Sequence, residues 1–350
     1  MNIREFASMC GISIAAASRI LNKPLDQAMA SQETYDRIHK KAVELGYRPN
    51  YAARVLHTKH SNCIGVVVGY PSVFNSRAIL HGISEYVCQY KIALNITTCN
   101  NDPRREMQAF QDMLYRGVDA IIWHPIYQCR DLYHTGHIER ALHRAMKSVP
   151  IVCLGYNNTP GIFKICANWE ATATAAALRQ LKLGCRKFMI IKEYYHCPPV
   201  SICAEAYRRT LLNHGVSPHA ISEIVVNTPN GTPDWRVMND VDGIWIYHLF
   251  LLHGIINQMK NVCNTINLHV DGMSFSEDYA ILSYIYGHDH FDKRFASLQR
   301  YSLNATTIAR RGAEMALEAI HNPGLPPYDY EFCWQRENQH PAPLRVLFNL

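Results

Sequence analysis

The sequence lacks the long apolar runs that membrane-spanning helices need. No apolar stretch approaches the roughly 18 residues that a span requires, and the N-terminus has no basic segment followed by an apolar one, as a secretion signal would. We therefore expect a cytoplasmic protein with no membrane partner. Charged residues make up only 18% of the 350 residues and hydrophobic residues 48%, which excludes a disordered chain and predicts two to three folded domains.

Several signatures of catalysis and of metal binding are also missing. The chain has no Gly-x-Ser-x-Gly elbow, no phosphate-binding loop and no dinucleotide fingerprint, so we predict that it is not an enzyme and needs no cofactor. None of the twelve cysteines forms a Cys-x-x-Cys pair, which favours free or buried thiols over a disulfide framework. The histidine pairs His134 with His137 and His288 with His290 have no third ligand at a suitable spacing, so we predict no metal site.

The positive charge of the chain is concentrated near its N-terminus. The net charge is +6. Residues 1–60 contain nine Lys/Arg and five Asp/Glu and so carry +4, which leaves +2 for the other 290 residues. A basic N-terminal segment is what binding to nucleic-acid phosphates requires.

Two short amphipathic helices joined by a turn open the chain. Asn2, with Glu5 three residues later, has the spacing of a capping box, and Ser13 is a suitable cap for the second helix. Gly11 lies between them, where the turn needs a left-handed residue. A third helix is predicted over Gln32–Leu45, and its buried face is expected to contain Tyr35, Ile38, Ala42 and Val43. By itself the pattern fits either a helix-turn-helix DNA reader or an ordinary three-helix bundle.

After residue 61, apolar strand-like runs alternate with helical patterns. Alternation over this length predicts parallel sheets with helices on both faces, and the length favours two sheets. The predicted strands are Cys63–Gly69, Ala93–Thr98, Asp119–Trp123, Ile151–Leu154, Lys187–Ile191, Glu223–Val226, Gly243–Tyr247 and Ile281–Tyr286. The predicted helices between them include Ser76–Tyr90, Arg104–Tyr115, Ala171–Leu183 and Ile202–His214. Ligands of such folds bind at the carboxyl ends of the strands.

Three segments, taken in order, resemble the LacI/GalR (lactose-repressor) family of bacterial transcription regulators. They are "FASMCGISIAAASRILN", "ELGYRPNYAARVL" and "IGVVV", which follow the family patterns V-A-x-x-A-G-V-S-x-x-T-V-S-R-V-L-N and L-x-Y-x-P-N-x-x-A-x-x-L. The sequence departs from the pattern at Ala16 and Ala17, and the loop after Asn22 is longer than usual.

The resemblance implies a domain organisation. An N-terminal all-α helix-turn-helix domain (1–46) and a hinge helix (47–60) would precede an α/β core (61–350). The core would consist of two doubly wound parallel-sheet subdomains of the periplasmic-binding-protein-like type. Crossovers near residues 160, 287 and 325 would divide it into an N-subdomain (61–160 and 288–324) and a C-subdomain (161–287 and 325–350).

The resemblance also implies that the second helix lies in the major groove of operator DNA. Ile14 and Ala15 would be the first base-reading positions and would contact thymine methyl groups, whereas Arg19 would be the main polar base reader. Leu56 would be an apolar wedge in the minor groove. A homodimer would match a pseudo-palindromic operator. The residues expected to contact DNA are Ser13, Ile14, Ala15, Ser18, Arg19, Asn22, Asn50, Ala53 and Leu56.

A small-molecule effector, sugar-like, is implied for the core. The residues expected to bind it are Tyr70, Phe74, Trp169, His248 and Asp289. Ordinary packing is the alternative for the aromatic residues, and a helix cap is the alternative for Asp289. The effector-binding arginine of the family aligns with Cys203, and its acidic residue aligns with Leu249. The implied function is a DNA-binding transcription regulator, a repressor, under effector control. The alternatives are a regulator that has lost effector binding and a sensor protein that reads no specific DNA.

Overall fold

The computed structural model of the chain divides into two compact units, Met1–Ser61 and Asn62–Leu350. The structure describes residues 1–48, 55, 60–69, 74–126, 137–193, 198–226, 233–249, 251, 268–275, 296–332 and 335–337. The first unit is helical and the second contains both β-sheets. Each unit buries its own cluster of apolar side chains, so each has a separate core.

Local capping sets the ends of the helices in the first unit. Asn2 accepts hydrogen bonds from the backbone of Arg4 and Glu5, and the Glu5 carboxylate accepts one from the Asn2 backbone, which confirms the predicted capping box. Gly11 has φ 67°, the left-handed conformation that the turn was predicted to need. Ser13 Oγ accepts from the Ala16 backbone at 3.1 Å and begins the second helix. The helices described over residues 1–48 are α1 (Ile3–Cys10), α2 (Ile14–Asn22), α3 (Leu25–Ala28) and α4 (Gln32–Glu44).

Two sequence predictions for this unit are wrong. The long loop after Asn22 contains α3, which the pattern did not indicate, and Ala28 of α3 is fully buried. Val43, which the pattern places on the buried face of α4, is 83% exposed. Because α4 packs through Ile38 and Ala42, which are four residues apart, the residue after Ala42 is rotated about 100° away from the core.

The second unit consists of alternating strands and helices. Its described strands are β1 (Cys63–Val68), β2 (Ala93–Thr98), β3 (Ala120–His124), β4 (Ile151–Leu154), β5 (Phe163–Ala167), β6 (Phe188–Glu193), β7 (Ile221–Val226), β8 (Gly243–Ile246), β9 (His269–Phe275), β10 (Ser297–Leu303), β11 (Asp329–Phe332) and β12 (Gln335–Glu337). Its described α-helices are α5 (Phe74–Val87), α6 (Pro103–Tyr115), α7 (His137–Met146), α8 (Trp169–Lys182), α9 (Pro198–Asn213) and α10 (Ala305–His321). None of the described helices is long and apolar enough to cross a membrane.

The strands form two six-stranded sheets. The first sheet has the order β11-β5-β4-β3-β1-β2, and all its neighbours are parallel. The second has the order β12-β10-β9-β8-β6-β7, in which only the edge strand β12 is antiparallel. The predicted fold class, two parallel sheets with helices packed on them, is confirmed. The predicted strand Ile281–Tyr286 lies outside the described residues.

The chain passes between the sheets at later points than the predicted crossovers near residues 160, 287 and 325. Strand β5 still belongs to the first sheet, and β10 still belongs to the second. Strand β11 returns to the first sheet before β12 joins the second. The apolar pattern identifies a buried strand without identifying its neighbours, so it cannot show at which strand the chain changes sheet.

The interior of the first sheet is mostly apolar. Helices α5 and α10 cover one face, and α6 and α7 cover the other. One carboxylate, that of Glu106 in α6, is fully buried within the described part of this core. Its Oε1 accepts from Trp123 Nε1 at 2.7 Å and from the Ile126 backbone at 3.0 Å. Glu106 therefore holds the segment that follows β3 against α6.

The second sheet contains a buried polar network where α8 and α9 pack on it. Asp271 of β9 is fully buried, and its Oδ2 accepts from Arg179 Nη1 at 2.7 Å and from Gln180 Nε2 at 2.8 Å. Tyr301 donates to Asp271 Oδ1 at 3.2 Å, and Tyr207 donates to Gln180 Oε1. Burial raises the pKa of Asp271 to about 6, although Arg179 and the hydrogen bonds act in the opposite direction.

Candidate functional site

The second helix of the helical unit, α2, has one exposed side and one buried side. Ile14 is 43% exposed, and Ala15 beside it is also exposed. Ala17 and Ile20 on the opposite side are buried. A short, exposed helix face of this kind fits the major groove, and Ile14 and Ala15 can contact thymine methyl groups but cannot form bidentate bonds to purines.

Arg19 is held in place by the long loop. Its side chain is half-buried, and its Nε donates to the backbone carbonyl of Ala28 in α3 at 3.0 Å. A guanidinium has five N–H donors in a fixed plane, so a bond at Nε restricts the direction of the other four. The loop that departs from the family pattern therefore orients the residue predicted to read bases.

The other polar residues of α2 have local partners. Asn22 is exposed, and its Nδ2 donates to the Ser18 carbonyl at 2.8 Å. Ser13 caps the helix, and a hydroxyl that accepts a cap bond still has its O–H donor. The predicted hinge residues Asn50, Ala53 and Leu56 lie outside the described residues.

At the carboxyl edge of the second sheet, a carboxylate and a histidine from two neighbouring strands meet. Glu193 is the last residue of β6, and His248 follows β8, which pairs with β6 in parallel. His248 Nδ1 and Glu193 Oε2 are hydrogen-bonded, and the two side chains are 31% and 14% exposed. The ring of Tyr247 packs edge-on against His248, with centroids 4.4 Å apart.

Aromatic and sulfur-containing residues lie at this end of the sheet as well, on the face opposite to the Glu193–His248 pair. Trp169 at the start of α8 and Tyr247 both pack on the apolar cluster that contains Cys203 and Met273. Cys203 is fully buried, with its Sγ 3.6 Å from the Trp169 carbonyl and 3.7 Å from Met273 Sδ. The ring of Tyr156 lies 5.9 Å from that of Trp169. The predicted residues Trp169 and His248 therefore lie at the same edge of one sheet.

The first sheet also has a histidine at its carboxyl edge. His124 ends β3, and its Nδ1 is buried without a hydrogen-bond partner among the described residues. Burial lowers the pKa of His124 to about 4, so the ring is neutral at pH 7. Tyr70 and Asp289 lie outside the described residues, as does the side chain of Phe74, the first residue of α5. No group of three or more His, Cys, Asp or Glu suited to a metal ion occurs in the described part of the chain.

The known proteins to which the chain is similar are transcription regulators. Catabolite control protein A of Staphylococcus xylosus is 26% identical over 194 residues, 55% of either chain, so our chain spans about half the length of this relative. The HTH-type transcriptional regulator GalS of Salmonella typhimurium is 25% identical over 331 residues, 91% of our chain and 89% of its own. No protein-family model matches. The solved Lac repressor dimer bound to operator and the anti-inducer ONPF has the same fold, with a TM-score of 0.74 and 16% identity over 98% of our chain and 99% of its own.

The chain is therefore similar in sequence to LacI/GalR regulators. The resemblance seen in its N-terminal segments is thereby confirmed. In this chain, the position that the sequence pattern aligns with the effector-binding arginine is a buried thiol, Cys203, and the position aligned with the acidic residue is Leu249, which is 2% exposed. Neither side chain reproduces the charge of the residue with which it is aligned.

Sequence reasoning missed Glu193 and His124. Each ends a strand, and a polar residue that directly follows an apolar run is the signal that could have identified them. The contact of Glu193 with His248 joins residues 55 positions apart and could not be read from local spacing.

Proposed function

We propose that the chain is a sequence-specific DNA-binding transcription regulator, a repressor, controlled by a small molecule bound at the carboxyl edges of the two sheets. It acts as a homodimer in the cytoplasm, reads a pseudo-palindromic operator and has no enzymatic activity. The observation that carries the proposal is the pair α1 and α2, joined at Gly11, with Ile14, Ala15 and the oriented Arg19 on the outer side of α2.

The charge distribution supports DNA as the partner. Of the net charge of +6, residues 1–60 carry +4. Phosphate contacts set the position of the helix on the duplex, whereas base contacts give sequence specificity. Ser13, Ser18 and Asn22 would make the first kind of contact, and Ile14, Ala15 and Arg19 the second. The hinge residues Asn50, Ala53 and Leu56 complete the proposed DNA contacts.

The effector would bind where the strands end. Trp169 and His248 lie at the carboxyl edge of the second sheet, and Tyr70, Phe74 and Asp289 remain proposed ligand contacts. A ligand that binds one arrangement of the two sheets more tightly than another shifts the equilibrium between them. The DNA affinity of the dimer would change by at most the ratio of the ligand's affinities for the two arrangements. The anti-inducer in the Lac repressor complex shows that a relative with this fold binds a small molecule together with its operator.

The test is selection of bound sequences from a random DNA pool at near-physiological salt, followed by binding measurements on the selected site. We expect a palindromic site with one repeated half-site. The variant Arg19→Ala should weaken binding by about 1–3 kcal/mol and relax the preference at one base pair of each half-site, because a base contact is lost. The control Lys40→Ala removes an equal charge from the exposed side of α4 and should leave the sequence preference unchanged.

Two results would contradict the proposal. A folded, dimeric protein that enriches no sequence would favour the alternative of a sensor that reads no specific DNA. A selected operator whose binding responds to no small molecule would favour a regulator that has lost effector binding, for which the buried Cys203 is the structural reason.

A further inference from the structure

The long loop after Asn22 contains a residue with two locally unfavourable features. Met29 follows α3 and has φ 49° and ψ 47°, the left-handed conformation in which a residue with a Cβ is strained and glycine is preferred. Its side chain is apolar and 79% exposed. Backbone strain combined with exposure at one position points to a role in binding, because neither feature stabilises the fold.

Contacts near both ends of the loop hold it in place. The Lys23 carbonyl accepts a hydrogen bond from the Tyr35 hydroxyl at 3.4 Å. At the other end, Ala28 is fully buried in the core of the helical unit, and its carbonyl accepts from Arg19 Nε at 3.0 Å. The backbone of Met29 is therefore fixed before any partner binds, so less conformational entropy is lost on binding.

Met29 lies beside the proposed base reader of α2. The Arg19 side chain contacts the carbonyl of Ala28, and the Cα of Met29 is about 3.8 Å from that of Ala28, as for any two consecutive residues. The exposed Met29 side chain and the guanidinium of Arg19 are therefore close to each other. Successive base pairs are about 3.4 Å apart along the duplex, so two side chains at this separation can reach neighbouring base pairs.

From this arrangement we infer that Met29 contacts a thymine methyl group in the major groove of the operator, at the base pair next to the one that Arg19 reads. A thioether cannot make the bidentate bonds that a guanidinium makes to guanine, but an apolar side chain distinguishes thymine through its C5-methyl group. The long loop thereby adds a second reading element beside α2. The inference names a base contact of the proposed operator and so rests on the proposed function.

The test combines a side-chain substitution with the removal of single methyl groups from the DNA. In the operator selected by the full chain, each thymine of a half-site is replaced in turn by deoxyuridine, which lacks only the C5-methyl group. At one position this change should weaken wild-type binding about two- to fivefold, as expected for one buried methyl group. Met29→Ala should weaken binding to the unmodified operator at least as much, and deoxyuridine at that position should then cause no further loss.

Two further variants separate a DNA contact from a structural role. Met29→Gly removes the side chain and the backbone strain together, so it should weaken operator binding as Met29→Ala does while the thermal unfolding midpoint stays unchanged or rises. Met9→Ala is the matched control, because Met9 is an exposed methionine (57%) on α1 of the same unit. It should change neither the operator affinity nor the response to deoxyuridine.

Three results would overturn the inference while the proposed regulator stands. They are an operator affinity of Met29→Ala equal to that of wild type, an equal weakening of operator and random DNA, and a response to deoxyuridine that is the same in Met29→Ala as in wild type at every position. A Met29→Ala chain that no longer dimerises would also overturn it and assign the side chain to a protein interface. If the wild-type chain selects no sequence, the proposed function itself fails, and the inferred contact fails with it.

Discussion

The two sheets of the second unit have the same number of strands and largely the same parallel arrangement, yet their interiors differ. The first sheet buries one ionisable helix residue, Glu106, among apolar side chains, and it is bound by an indole and a backbone amide. The second buries Asp271 in a network with Arg179, Gln180 and Tyr301. A fold of this type can therefore be stabilised by an almost purely apolar core or by one that depends on a fully satisfied polar network.

The histidines at the carboxyl edges of the two sheets also differ. At the carboxyl edge of the second sheet, His248 is bonded to Glu193. At the carboxyl edge of the first sheet, the buried Nδ1 of His124 has no hydrogen-bond partner in the part of the chain that the structure describes. The first sheet thus has a mostly apolar interior and a histidine without a described hydrogen-bond partner at its edge. The second has a polar network in its interior and a hydrogen-bonded histidine at its edge. Three substitutions test whether these differences have energetic consequences.

Arg179→Met should have the largest effect. It leaves the Asp271 carboxylate fully buried without its cation, and breaking a buried ion pair from one side costs about 3–5 kcal/mol of unfolding free energy. Urea denaturation at pH 7 measures the loss. Arg208→Met is the control, because its partner Glu223 is partly exposed and keeps Lys192, so its cost should be about 0–1 kcal/mol. Similar losses of unfolding free energy in both variants would show that the buried ion pair contributes no more to stability than the partly exposed one.

His124→Leu should change the pH dependence of stability. The folded-state pKa of His124 is about 4, below the usual value of about 6.5, so the unfolded chain binds the proton more tightly. The wild-type protein should therefore gain stability as pH rises from about 4 to about 6.5, by on the order of 3 kcal/mol, and His124→Leu should lack this gain.

The measurement is the difference in unfolding free energy between wild type and His124→Leu across pH 4 to 7. The raised pKa of Asp271 makes stability fall over about pH 4 to 6, but this contribution is common to both proteins and cancels in the difference. A difference that does not vary with pH would mean that the folded protein does not suppress protonation of His124.

Glu106→Gln should have the smallest effect of the three. The amide keeps the shape and one acceptor oxygen but weakens charge-assisted bonds from Trp123 and Ile126, at a cost of about 1–3 kcal/mol. Gln108→Ala, on the exposed side of the same helix, should lie within about 0.5 kcal/mol of wild type. If Glu106→Gln lost as much unfolding free energy as Arg179→Met, the first sheet would depend on its buried polar group as strongly as the second sheet does.

Local patterns predicted much of the helical unit. The Asn2–Glu5 capping box, the turn at Gly11 and the cap at Ser13 depend on residues within a few positions of one another, so spacing alone identifies them. The pattern failed at α3 and at Val43, where packing of a small core decides which residues are buried. The bond from Arg19 to Ala28 belongs to the same class, since it depends on how the long loop folds.

The candidate effector site was predicted in part. Trp169 and His248 were identified through their positions in the family pattern, but Glu193 was not, because its role depends on the strand that lies beside β6. Strand β8 is that neighbour, although it begins 50 residues after β6 ends, with β7 between them in sequence. Periodicity identifies buried strands and is silent about their order in a sheet.

By itself, the sequence determined the fold class, the ends of the first helices and the relationship to DNA-binding regulators, because these depend on short-range capping, on hydrophobic alternation and on motifs that are continuous in the chain. Only the tertiary structure decided where the chain changes sheet and which charges meet. Arg179 and Asp271 lie 92 positions apart, and Glu193 and His248 lie 55 positions apart. Such pairs form when parallel strands are placed side by side through crossover connections, and strand order is a property of the packed sheet.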